Sequence, residues 1–502
     1  MRIFELHRRH RGREQEAALI YQGRVITYGE LDRRVNSYTG YLQSLGLAPG
    51  ERVALCAPNS PQFVYSYLGA SQAGAVVVSL NLMLTLEEIG YILRDSGAGT
   101  LILHPAVLER LQGREVPSPQ DLGINRLIVL NEETCRAIAA SPDPAAVPVR
   151  SSEVCTYLYT SGTTGRPKGA MLTHDNLVAN VLALEEVSHF GPEHNFLCVL
   201  PMFHSFSWTV NVLLPLYLGA RVTVKESFQP KDIFRTLVEE DITIFCGVPA
   251  MFTVLWRMGD KGRFKALRYG ISGGAPLPPE VQRGFEEKFS CPLVEGYGLS
   301  EASPVVALNP LYGLRKPGSI GLPLPGVEVK VVDDNDNEVP RGEVGELVVR
   351  GANVMQGYHN LPEETAGTLR GGWLHTGDLA RQDEDGYLYV VDRKKDVIIL
   401  SGFNVYPREI EDVLLTHPAV QDAAVIGVGD PLKGETIKAF IVLREGAEVR
   451  PHQLQEFLKE RLAVYKIPRQ WEFVEELPKN ATGKVLKKLL RAKETGREGL
   501  SR

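Results

Sequence analysis

Short apolar runs alternate with amphipathic segments between Glu51 and about Ser300. The apolar runs are "RVALCA", "AVVVSL", "TLILH", "LIVL", "FLCVLP", "RVTVK", "TIFCG" and "RYGIS", and most are separated by segments such as "KDIFRTLVEED". A strand followed by a helix, repeated many times, is typical of a parallel sheet that is covered by helices on both faces. This pattern predicts that the first part of the chain forms a large α/β domain.

The pattern becomes richer in predicted strands after about Gly313. The runs "GVEVKVVDD", "VGELVVRG" and "GYLYVVDR" are punctuated by glycine and proline, which predicts a β-rich subdomain attached to the α/β domain. A second unit is predicted to begin near Asp392, where "PREIEDVLLTHP" has the pattern of a helix with Pro407 in its first turn, and strand-like runs follow. We therefore predict fold class α/β, with an N-terminal domain at residues 1–392 and a small C-terminal α+β domain at residues 393–502.

Composition and charge argue against several classes of protein. The chain has 502 residues, of which 44% are hydrophobic and 23% are charged, as in an ordinary soluble globular protein. The formal net charge of −6 argues against a nucleic-acid binder, which usually carries an excess of basic residues. The most apolar window, "YLGASQAGAVVVSLNLML", is interrupted by polar residues and predicts a helix and a strand instead of a membrane span, and the basic first residues lack the apolar stretch of a signal peptide. The six cysteines show no C-x-x-C spacing, so we expect buried thiols and a cytoplasmic protein.

The stretch "YTSGTTGRPKG", from Tyr159 to Gly169, combines glycines, hydroxyl groups and a lysine in the way that a phosphate site requires. Glycines allow backbone N–H groups to approach phosphate oxygens, and the side chains add hydroxyl donors and the charge of Lys168. The stretch is not a Walker loop, because Lys168 follows Pro167 and precedes Gly169. Taken alone, a stretch of this composition is as consistent with a flexible surface loop as with a phosphate site.

Further motifs follow this stretch in order along the chain. They are "ISGGAPLP" (Ile271–Pro278), "EGYGLSE" (Glu295–Glu301), "GELVVRG" (Gly345–Gly351), "GWLHTGD" (Gly372–Asp378), "DRKKDVIILSGFNVYPREIE" (Asp392–Glu411) and "PKNATGK" (Pro478–Lys484). Together with "YTSGTTGRPKG" they resemble the motifs of the adenylate-forming superfamily, which includes acyl-CoA synthetases, non-ribosomal peptide adenylation domains and luciferases. The resemblance covers nearly the whole chain, and within the superfamily the chain most resembles bacterial long-chain fatty acid–CoA ligases. It implies that a carboxylate attacks the α-phosphorus of ATP to give an acyl-adenylate and pyrophosphate, and that a thiol then displaces AMP.

The resemblance assigns most of these motifs to ATP. The glycine-rich stretch would hold the β- and γ-phosphates, where fixed donors stabilise the charge that the leaving pyrophosphate gains. Gly274 and Ala275 would pack on the adenine, and Tyr297 would stack against it. Ser300 would touch the α-phosphate, and Asp378 would accept the ribose hydroxyls. The residues expected to bind the nucleotide are Thr160, Ser161, Gly162, Thr163, Thr164, Gly165, Gly274, Ala275, Glu295, Gly296, Tyr297, Ser300, Asp378 and Arg393.

The same resemblance implies roles for charged residues in the chemistry. Glu301 would bind Mg²⁺, which prefers oxygen ligands, and Lys168 would contact phosphate. Lys484 would offset the repulsion between the incoming carboxylate and the α-phosphate, which are both negative. In isolation, Glu301 could be a charge at a helix N-terminus and Lys484 a solvated residue of a basic tail, but the ordered motifs favour the functional roles. The superfamily rotates its small C-terminal domain between the two steps, which places Lys395 at the hinge and Gly402 in the coenzyme A tunnel.

The stretch "PMFHSFSWT", Pro201–Thr209, lies where the superfamily builds its acid pocket. Amino-acid-activating members place an aspartate shortly after the phenylalanine to bind the substrate ammonium, whereas here Phe203 is followed by His204. His204 would lie near the substrate carboxylate or the pocket mouth and is a candidate catalytic residue, or it is a loop histidine with a structural role. The residues expected to line the pocket are Phe203, Trp208, Gly247, Met251, Gly273 and Gly298.

Gly298 bears on the size of the acid. In short-chain acyl-CoA synthetases a tryptophan at the matching position blocks the channel, so a glycine predicts a deep apolar pocket for a medium-chain or long-chain fatty acid. An aryl acid such as a hydroxycinnamate is an alternative because that branch shares these motifs, and a non-catalytic nucleotide or acyl binder is a third. Because no carrier domain follows Arg502, we expect coenzyme A to be the thiol. A monomer or a homodimer, with transient membrane contact, is compatible with these features.

Overall fold

The computed structural model describes residues 1–10, 12–111, 119–161, 166–258, 264–400, 403–430, 434–480 and 483–500. The chain divides into two compact units. The first unit consists of Met1–Glu328 and Val349–Leu374, and the second consists of Val329–Val348 and His375–Arg502. Strands and helices alternate along most of the first unit, and the second unit is richer in strands, so the predicted α/β fold class is confirmed.

The strands are given first, in chain order. The strands of the described residues are β1 (Ala17–Tyr21), β2 (Arg24–Thr27), β3 (Arg52–Cys56), β4 (Val76–Ser79), β5 (Ala98–Leu103), β6 (Arg126–Val129), β7 (Val154–Ser161), β8 (Pro167–Thr173), β9 (Asn195–Cys198), β10 (Arg221–Val224), β11 (Ile244–Gly247), β12 (Tyr269–Ser272), β13 (Leu293–Gly298), β14 (Val305–Leu308), β15 (Leu322–Pro323), β16 (Val327–Val332), β17 (Gly345–Gly351), β18 (Gly357–Tyr358), β19 (Leu374–Gln382), β20 (Leu388–Arg393), β21 (Ile398–Leu400), β22 (Phe403–Val405), β23 (Val420–Asp430), β24 (Gly434–Leu443) and β25 (Gln470–Phe473).

The helices connect these strands. The α-helices of the described residues are α1 (Tyr28–Ser44), α2 (Pro61–Gln72), α3 (Leu86–Ser96), α4 (Pro105–Leu111), α5 (Pro119–Leu122), α6 (Glu132–Ala139), α7 (His174–Ser188), α8 (Leu214–Leu218), α9 (Pro230–Glu239), α10 (Pro249–Arg257), α11 (Pro279–Phe289), α12 (Pro362–Thr368), α13 (Pro407–Leu415), α14 (Pro451–Lys459) and α15 (Lys487–Leu500). Short 3₁₀ turns occupy Ile3–Arg8, Ser300–Ala302, Arg370–Gly372, Lys394–Asp396 and Val464–Lys466, and a π-helix occupies Ser207–Leu213.

Two sheets organise the first unit. Within the described residues, one has nine strands in the order β15-β14-β13-β12-β11-β9-β10-β1-β2, and the other has seven in the order β18-β8-β7-β4-β3-β5-β6. The strands from β13 to β1 are parallel to their neighbours, as the strand–helix alternation predicts. Antiparallel strands lie at the margins of both sheets, including β14 and β8, and the alternation does not predict them.

Two further sheets belong wholly or mostly to the second unit. Within the described residues, one has the strand order β16-β17-β19-β20, and the other has the order β22-β21-β24-β23 with β25 paired to β24. Helices α13 and α14 pack on the second of these sheets through Ile410, Leu414, Leu454 and Leu458, which are buried with its strands. This is the α+β arrangement predicted for the C-terminal part of the chain.

Local sequence signals explain where many helices begin and end. The Thr85 hydroxyl accepts a hydrogen bond from the amide of Glu88, and the Glu88 carboxylate accepts one from the amide of Thr85, so the pair forms a capping box at the start of α3. The same helix ends at Gly97, which has the left-handed backbone (φ 64°) that glycine adopts at little cost. Helices α9, α10, α11 and α13 carry proline in their first turn, where its missing N–H has no helical partner to lose.

The core of the first unit follows from the double covering of its sheets. Every residue of β4 and of β11 is buried, as expected for strands with helices on both faces. Beneath α10 and α11, the rings of Phe252 and Phe285 lie 5.3 Å apart in an edge-to-face contact, and Phe264 and Phe289 are stacked at 4.2 Å. These packed rings belong to the core that supports β11, β12 and β13, and the candidate site lies at the carboxyl ends of those strands.

The domain boundary predicted after Asp392 stays a prediction. The compact units are divided differently, because Val329–Val348 and the strand β19 from His375 onwards belong with the C-terminal residues. As a consequence, Asp378, Arg393 and Lys484 all lie in the second unit.

Candidate active site

The described residues on the two sides of the glycine-rich stretch belong to two paired strands. Strands β7 and β8 are antiparallel, with Thr160 directly opposite Lys168, so the two side chains lie on the same face of the hairpin. The apolar run "VCTYLY", directly before the glycine-rich stretch, predicts the first of these strands, and no comparable run predicts the second. The predicted phosphate-binding residues Gly162, Thr163, Thr164 and Gly165 lie outside the described residues, as does the side chain of Ser161.

Lys168 is almost buried and has a dedicated counter-ion. It is 8% exposed, and its ammonium forms an ion pair with the carboxylate of Glu364 in α12. The same ammonium lies 5.6 Å from the centroid of the Tyr358 ring. The sequence analysis did not identify Glu364 or Tyr358, and no local signal could, because they lie about 190 residues from Lys168 in the chain.

Glu301 lies in a 3₁₀ turn immediately after β13. Its Oε1 accepts a hydrogen bond of 2.9 Å from the Tyr358 hydroxyl and one of 3.4 Å from the Thr160 hydroxyl. Burial and the neighbouring Glu301 raise the pKa of Tyr358 well above its usual value, so this hydroxyl stays protonated and donates. The turn therefore places the Glu301 carboxylate next to Thr160 in β7, beside the stretch that is predicted to bind phosphate.

The surroundings of Glu301 fit Mg²⁺ that is held mainly by phosphate and water. Mg²⁺ prefers oxygen ligands and is commonly bound through one or two carboxylates together with substrate phosphates. Over the part of the chain that the structure describes, no group of three or more His, Cys, Asp or Glu side chains is arranged to hold a metal. The oxygen chemistry of Glu301, beside the hydroxyl of Thr160, therefore suits a metal that arrives with the nucleotide.

Ser300 connects the end of β13 with the stretch predicted to bind the acid. Its hydroxyl lies 3.3 Å from the hydroxyl of Ser205, within hydrogen-bonding distance. The predicted α-phosphate residue thus lies next to the "PMFHSFSWT" stretch. This contact brings together the two places where the reacting groups of an acid and a nucleotide are expected to meet.

The predicted adenine residues lie at the carboxyl ends of two adjacent parallel strands, β12 and β13. Ligands of parallel α/β sheets commonly bind at this edge. Gly274 is exposed and has a left-handed backbone (φ 80°), so a side chain there would be strained. Ala275, which follows Gly274, and Tyr297 in β13 are both half-buried. A Cβ on Gly296 would lie 3.0 Å from the side chain of Leu308.

Glu295 is placed differently from the other predicted nucleotide residues. It is 4% exposed, its carboxylate accepts a hydrogen bond of 3.1 Å from the amide of Leu277, and its carbonyl accepts one of 2.9 Å from the amide of Asn309. These contacts hold the "ISGGAPLP" segment against β13. Glu295 therefore shapes the site by fixing the backbone that carries Gly274.

His204 has a structural contact of its own. Its Nδ1 accepts a hydrogen bond of 3.3 Å from the amide of Phe206, and its carbonyl accepts one of 3.0 Å from the amide of Trp208. The residue is half-buried, and Phe203 beside it is half-buried as well. These bonds fix the turn that leads into the π-helix Ser207–Leu213, and they are compatible with both alternatives for His204.

Trp208 packs into the core. Its side chain is 3% exposed and lies 4.1 Å from the ring of Tyr67 and 5.6 Å from that of Phe63, both in α2. Other apolar side chains border the glycines at the ends of β11 and β12. A Cβ on Gly273 would come within 3.2 Å of the Phe206 ring, one on Gly274 within 3.6 Å of Val248, and one on Gly247 within 3.5 Å of Met251.

Phe206 is a candidate pocket residue that the sequence analysis did not single out. It lies three residues after Phe203 in the same stretch, and only the packing of its ring on the Gly273 backbone identifies it. Gly273 is needed there because a side chain would displace the ring. The predicted pocket residues Gly247, Met251 and Gly273 therefore gather at the ends of β11 and β12, together with Phe206.

Gly298 has a structural reason to be glycine. It is exposed and lies at an irregularity in the pairing of β13 with β14. A Cβ at this position would lie 2.2 Å from the carbonyl oxygen of Pro304, which is far inside van der Waals contact. Close passage of the backbone is thus sufficient to explain the glycine, and the depth of the acid pocket needs a test of its own.

The second unit brings five charged residues together. Asp378 and Arg393 are opposite each other in β19 and β20, with 3.4 Å between Oδ1 and Nε. Burial and the charge of Arg393 lower the pKa of Lys484 to about 8, against the opposing influence of Asp378 and Asp396. Burial and Arg393 also lower the pKa of Lys395. Residues from three separate motifs thus share one electrostatic neighbourhood. Gly402 lies outside the described residues.

A tight turn presents Lys484 to this neighbourhood. The side-chain oxygen of Asn480 accepts a hydrogen bond of 2.9 Å from the amide of Lys484, and the amide of Asn480 donates one of 2.9 Å back to the Lys484 carbonyl. Lys487, in contrast, forms an ion pair of 2.8 Å with Glu411. It is therefore a structural residue and not the solvated one that the basic tail suggests.

No helix among the described residues combines the length and the apolar character that a membrane span needs.

Comparison with known proteins agrees with this geometry. The profile of the family described as AMP-binding enzyme matches residues 6–359, and that of the AMP-binding enzyme C-terminal domain matches residues 409–484. The chain is 38% identical over 486 residues to a feruloyl-CoA synthase of an Amycolatopsis species, with 96% of each chain covered. It is 36% identical over 521 residues to a long-chain-fatty-acid–CoA ligase of Bacillus subtilis, with 96% of this chain and 92% of that chain covered.

A solved structure extends the similarity to three dimensions. ATP-bound MatB from Rhodopseudomonas palustris matches with a TM-score of 0.91 and 32% identity, over 98% of this chain and 99% of that chain. The match includes both compact units. The chain therefore belongs to the AMP-binding enzyme family and is an AMP-forming acid–CoA ligase that uses ATP, Mg²⁺ and coenzyme A.

Proposed function

We propose that this enzyme activates a medium-chain or long-chain fatty acid as the acyl-adenylate and transfers the acyl group to coenzyme A, releasing AMP and pyrophosphate. The observation that carries the proposal is that apolar side chains, those of Phe206, Val248 and Met251, border the glycines at the ends of β11 and β12. Phe206 follows Ser205, whose hydroxyl contacts that of Ser300. Apolar side chains favour an acid with an apolar tail, because burial of each methylene is favourable. The similarity to a long-chain-fatty-acid–CoA ligase supports the same substrate class.

A second substrate class has an observation in its favour. The Phe206 ring packs on the Gly273 backbone, and such a flat wall also suits an aromatic ring. The similarity to a feruloyl-CoA synthase is of the same extent as that to the fatty-acid ligase. A hydroxycinnamate or benzoate-type acid is therefore the alternative substrate.

The proposed roles in the first unit follow from where charge develops. Mg²⁺, when bound, neutralises part of the phosphate charge. Glu301 would hold it, the Thr160 hydroxyl and the Lys168 ammonium would bind the departing phosphates, and Ser300 would orient the α-phosphate. These donors act on charge that grows in the transition state, which is where binding energy accelerates a reaction.

The proposed roles in the second unit concern the sugar and the incoming acid. The Asp378 carboxylate suits the two ribose hydroxyls, since an ionised carboxylate accepts several hydrogen bonds. Arg393 would contact the ribose as well, and Lys484 would offset the repulsion between carboxylate and α-phosphate during the first step. We also propose that the C-terminal domain rotates about Lys395 and that Gly402 lines the tunnel for coenzyme A.

A panel of acids tests this proposal. Pyrophosphate release and thioester formation are measured with fatty acids of increasing length and with hydroxycinnamates and benzoates, each with ATP, Mg²⁺ and coenzyme A. We expect the highest kcat/KM with a medium-chain or long-chain fatty acid, and a Glu301→Gln variant that folds but has lost most of this activity. A preference for hydroxycinnamates would establish the alternative, and no pyrophosphate release with any acid would indicate a non-catalytic binder.

We also propose a cellular context. The six cysteines are free thiols, five of them buried, which is compatible with a reducing cytoplasm. A fatty acid substrate would bring the enzyme into transient contact with membranes. A monomer and a homodimer are both compatible with the proposed mechanism.

A further inference from the structure

One tyrosine contacts the two opposite charges that are proposed to act in the ATP site, Lys168 and Glu301. The Lys168 ammonium lies 5.6 Å from the centroid of the Tyr358 ring, and the hydroxyl of the same ring donates a hydrogen bond of 2.9 Å to Glu301. Thr160, the cross-strand neighbour of Lys168, also donates to Glu301. The lysine and the glutamate therefore contact different parts of the same tyrosine: the ammonium lies near the ring, and the carboxylate bonds to the hydroxyl.

Without this ring, the two groups would attract each other directly. An ammonium and a carboxylate in a site with little water form an ion pair unless something holds them apart. Such a pair would be unproductive, because it would occupy the carboxylate that binds the metal and the ammonium that binds phosphate. The enzyme needs both charges close together and both available.

The chain supplies a separate partner for each charge. Glu364 pairs with Lys168, and the Tyr358 and Thr160 hydroxyls bond to Glu301. Hydroxyl donors orient a carboxylate without neutralising it. Glu364 is more exposed than Lys168, with 35% of its side chain accessible against 10%, so it neutralises the nearly buried ammonium from the solvent side.

Backbone contacts fix the segment that carries both partners. Tyr358 pairs with Ala170 in β8, and the amide of His359 donates a hydrogen bond of 2.8 Å to the carbonyl of Gly169. The amide of Met355 donates one of 2.8 Å to the carbonyl of Glu301.

A further hydrogen bond attaches α12 to Tyr358. The Thr365 hydroxyl accepts a hydrogen bond of 2.9 Å from the amide of Tyr358, which ties α12, and with it Glu364, to the tyrosine. The segment therefore holds ring and carboxylate in one register against the hairpin and the Glu301 turn.

We propose that Tyr358 and Glu364 are positioning residues that keep Lys168 and Glu301 from pairing, so that Glu301 stays available to the metal and Lys168 to phosphate. This inference rests on the proposed roles of Glu301 and Lys168. It deepens them by assigning the spacing of the two charges to residues outside the superfamily motifs described above.

The test measures metal affinity directly. Mn²⁺ binding is followed by electron paramagnetic resonance in the presence of saturating α,β-methylene-ATP, without acid or coenzyme A. We expect Tyr358→Leu to raise the Mn²⁺ dissociation constant about tenfold, because Lys168 is then free to pair with Glu301. Tyr358→Phe keeps the spacer and loses only the hydroxyl, so it should raise the constant by about two- to threefold.

The second substitution makes the test specific. Adding Lys168→Gln to Tyr358→Leu removes the competing ammonium, so Mn²⁺ affinity should return close to that of the wild type. The same rescue should appear when Lys168→Gln is added to Glu364→Gln, which leaves the ring in place and covers the case in which Tyr358→Leu does not fold. Glu363→Gln, on the exposed side of the same helix, is the matched control and should leave the constant unchanged.

Three outcomes would overturn the inference. The first is an unchanged Mn²⁺ dissociation constant in both Tyr358→Leu and Glu364→Gln. The second is that adding Lys168→Gln weakens Mn²⁺ binding further instead of restoring it. The third is that Glu363→Gln changes the constant as much as Glu364→Gln does. Glu301→Gln separates the inference from the function on which it rests. If that variant binds Mn²⁺ as the wild type does, the metal role of Glu301 is wrong, and the inference is wrong with it.

Discussion

The surroundings of the Lys484 ammonium lower its pKa to about 8. Burial is the main cause and Arg393 is the next, while Asp378 and Asp396 act in the opposite direction. A lysine with this pKa is mostly protonated at neutral pH and loses its charge within the range in which enzymes are commonly assayed. At the scale of a single residue, the proposed catalytic charge is thus adjustable by its surroundings.

The first prediction is a pH profile. The rate of adenylate formation should fall as the pH rises through about 8, because the neutral amine cannot offset the repulsion between carboxylate and phosphate. Below that pH the ammonium is present and the rate should be level with respect to this group. The measurement is pyrophosphate exchange at saturating substrates between about pH 6 and 10. Lys484→Arg is the control, since arginine keeps its charge over the whole range, and the same descending limb in that variant would contradict the assignment.

The second prediction separates the two half-reactions. Lys484→Ala should slow adenylate formation by about 10²–10³-fold, as expected when a group that stabilises transition-state charge is removed. The reaction of synthetic acyl-adenylate with coenzyme A should be nearly unaffected, because no two anions need to meet in that step. Pyrophosphate exchange and thioester formation measure the two steps. Equal losses in both assays would mean that Lys484 has no step-specific role.

At the scale of elements, backbone pairing explains features that the residues alone do not. The sequence predicts β7 before the phosphate stretch, but Pro167–Thr173 has the composition of a loop and nevertheless forms β8. Its partners are β7 on one side and β18 on the other, and β18 lies almost 190 residues later. Strand formation there is a tertiary effect, because local preferences for strands are weak and depend on the neighbours.

The third prediction concerns the irregular pairing of β13 with β14. Gly298→Ala should lower the midpoint of urea unfolding, since its Cβ would lie 2.2 Å from the Pro304 carbonyl oxygen. The expected cost is about 1–3 kcal/mol, as for other overpacked positions. Gly367→Ala in α12 is the control, because a Cβ there meets no atom within 4 Å and alanine favours a helix. If both variants have the same midpoint, Gly298 is not required by the close backbone passage. Gly298→Trp is accordingly unsuited as a probe of pocket depth.

The fourth prediction concerns the short turn Lys394–Asp396 between β20 and β21. Proline fixes φ at about −65°, which fits the 3₁₀ conformation of this turn and hinders any rotation that changes φ. If the turn is the hinge, Lys395→Pro should impair one half-reaction, thioester formation from synthetic adenylate, more than pyrophosphate exchange. Lys395→Ala removes the same side chain without fixing φ, and it should show no such bias. Equal behaviour of the two variants would argue against a hinge at Lys395.

At the scale of the whole molecule, the assignment to a family is firmer than the identity of the substrate. The ordered motifs run through both compact units, and the matches to known proteins cover nearly the whole chain. The proposed acid pocket, in contrast, involves a few side chains such as Phe206. Relatives with similar identity act, by name, on a fatty acid and on a hydroxycinnamate.

The fifth prediction is a chain-length series. If the pocket accepts a fatty acid, kcat/KM should rise with each added methylene by about fourfold, which corresponds to about 0.8 kcal/mol of burial. The rise should end at the length at which the pocket is filled. Phe206→Ala should move that point to longer or bulkier acids, because it removes the ring that packs on Gly273. Acetate as the best substrate of the wild type would contradict a deep apolar pocket.

The sequence by itself determined the fold class, the order of the motifs and the reaction class. Strand–helix alternation and capping residues act over a few positions, so they can be read locally, as the capping box of Thr85 and Glu88 illustrates. The roles inferred for Lys168, Glu301 and Lys484 likewise came from short stretches that contain those residues.

The tertiary structure alone decided which distant groups meet. The pairing of Glu364 with Lys168, the bond from Tyr358 to Glu301 and the passage of Pro304 over Gly298 each depend on how separate elements pack. The neighbourhood that lowers the pKa of Lys484 has the same origin. Hydrophobic periodicity and turn residues describe one element at a time, whereas a charge responds to every group within a few ångströms, whatever its position in the chain.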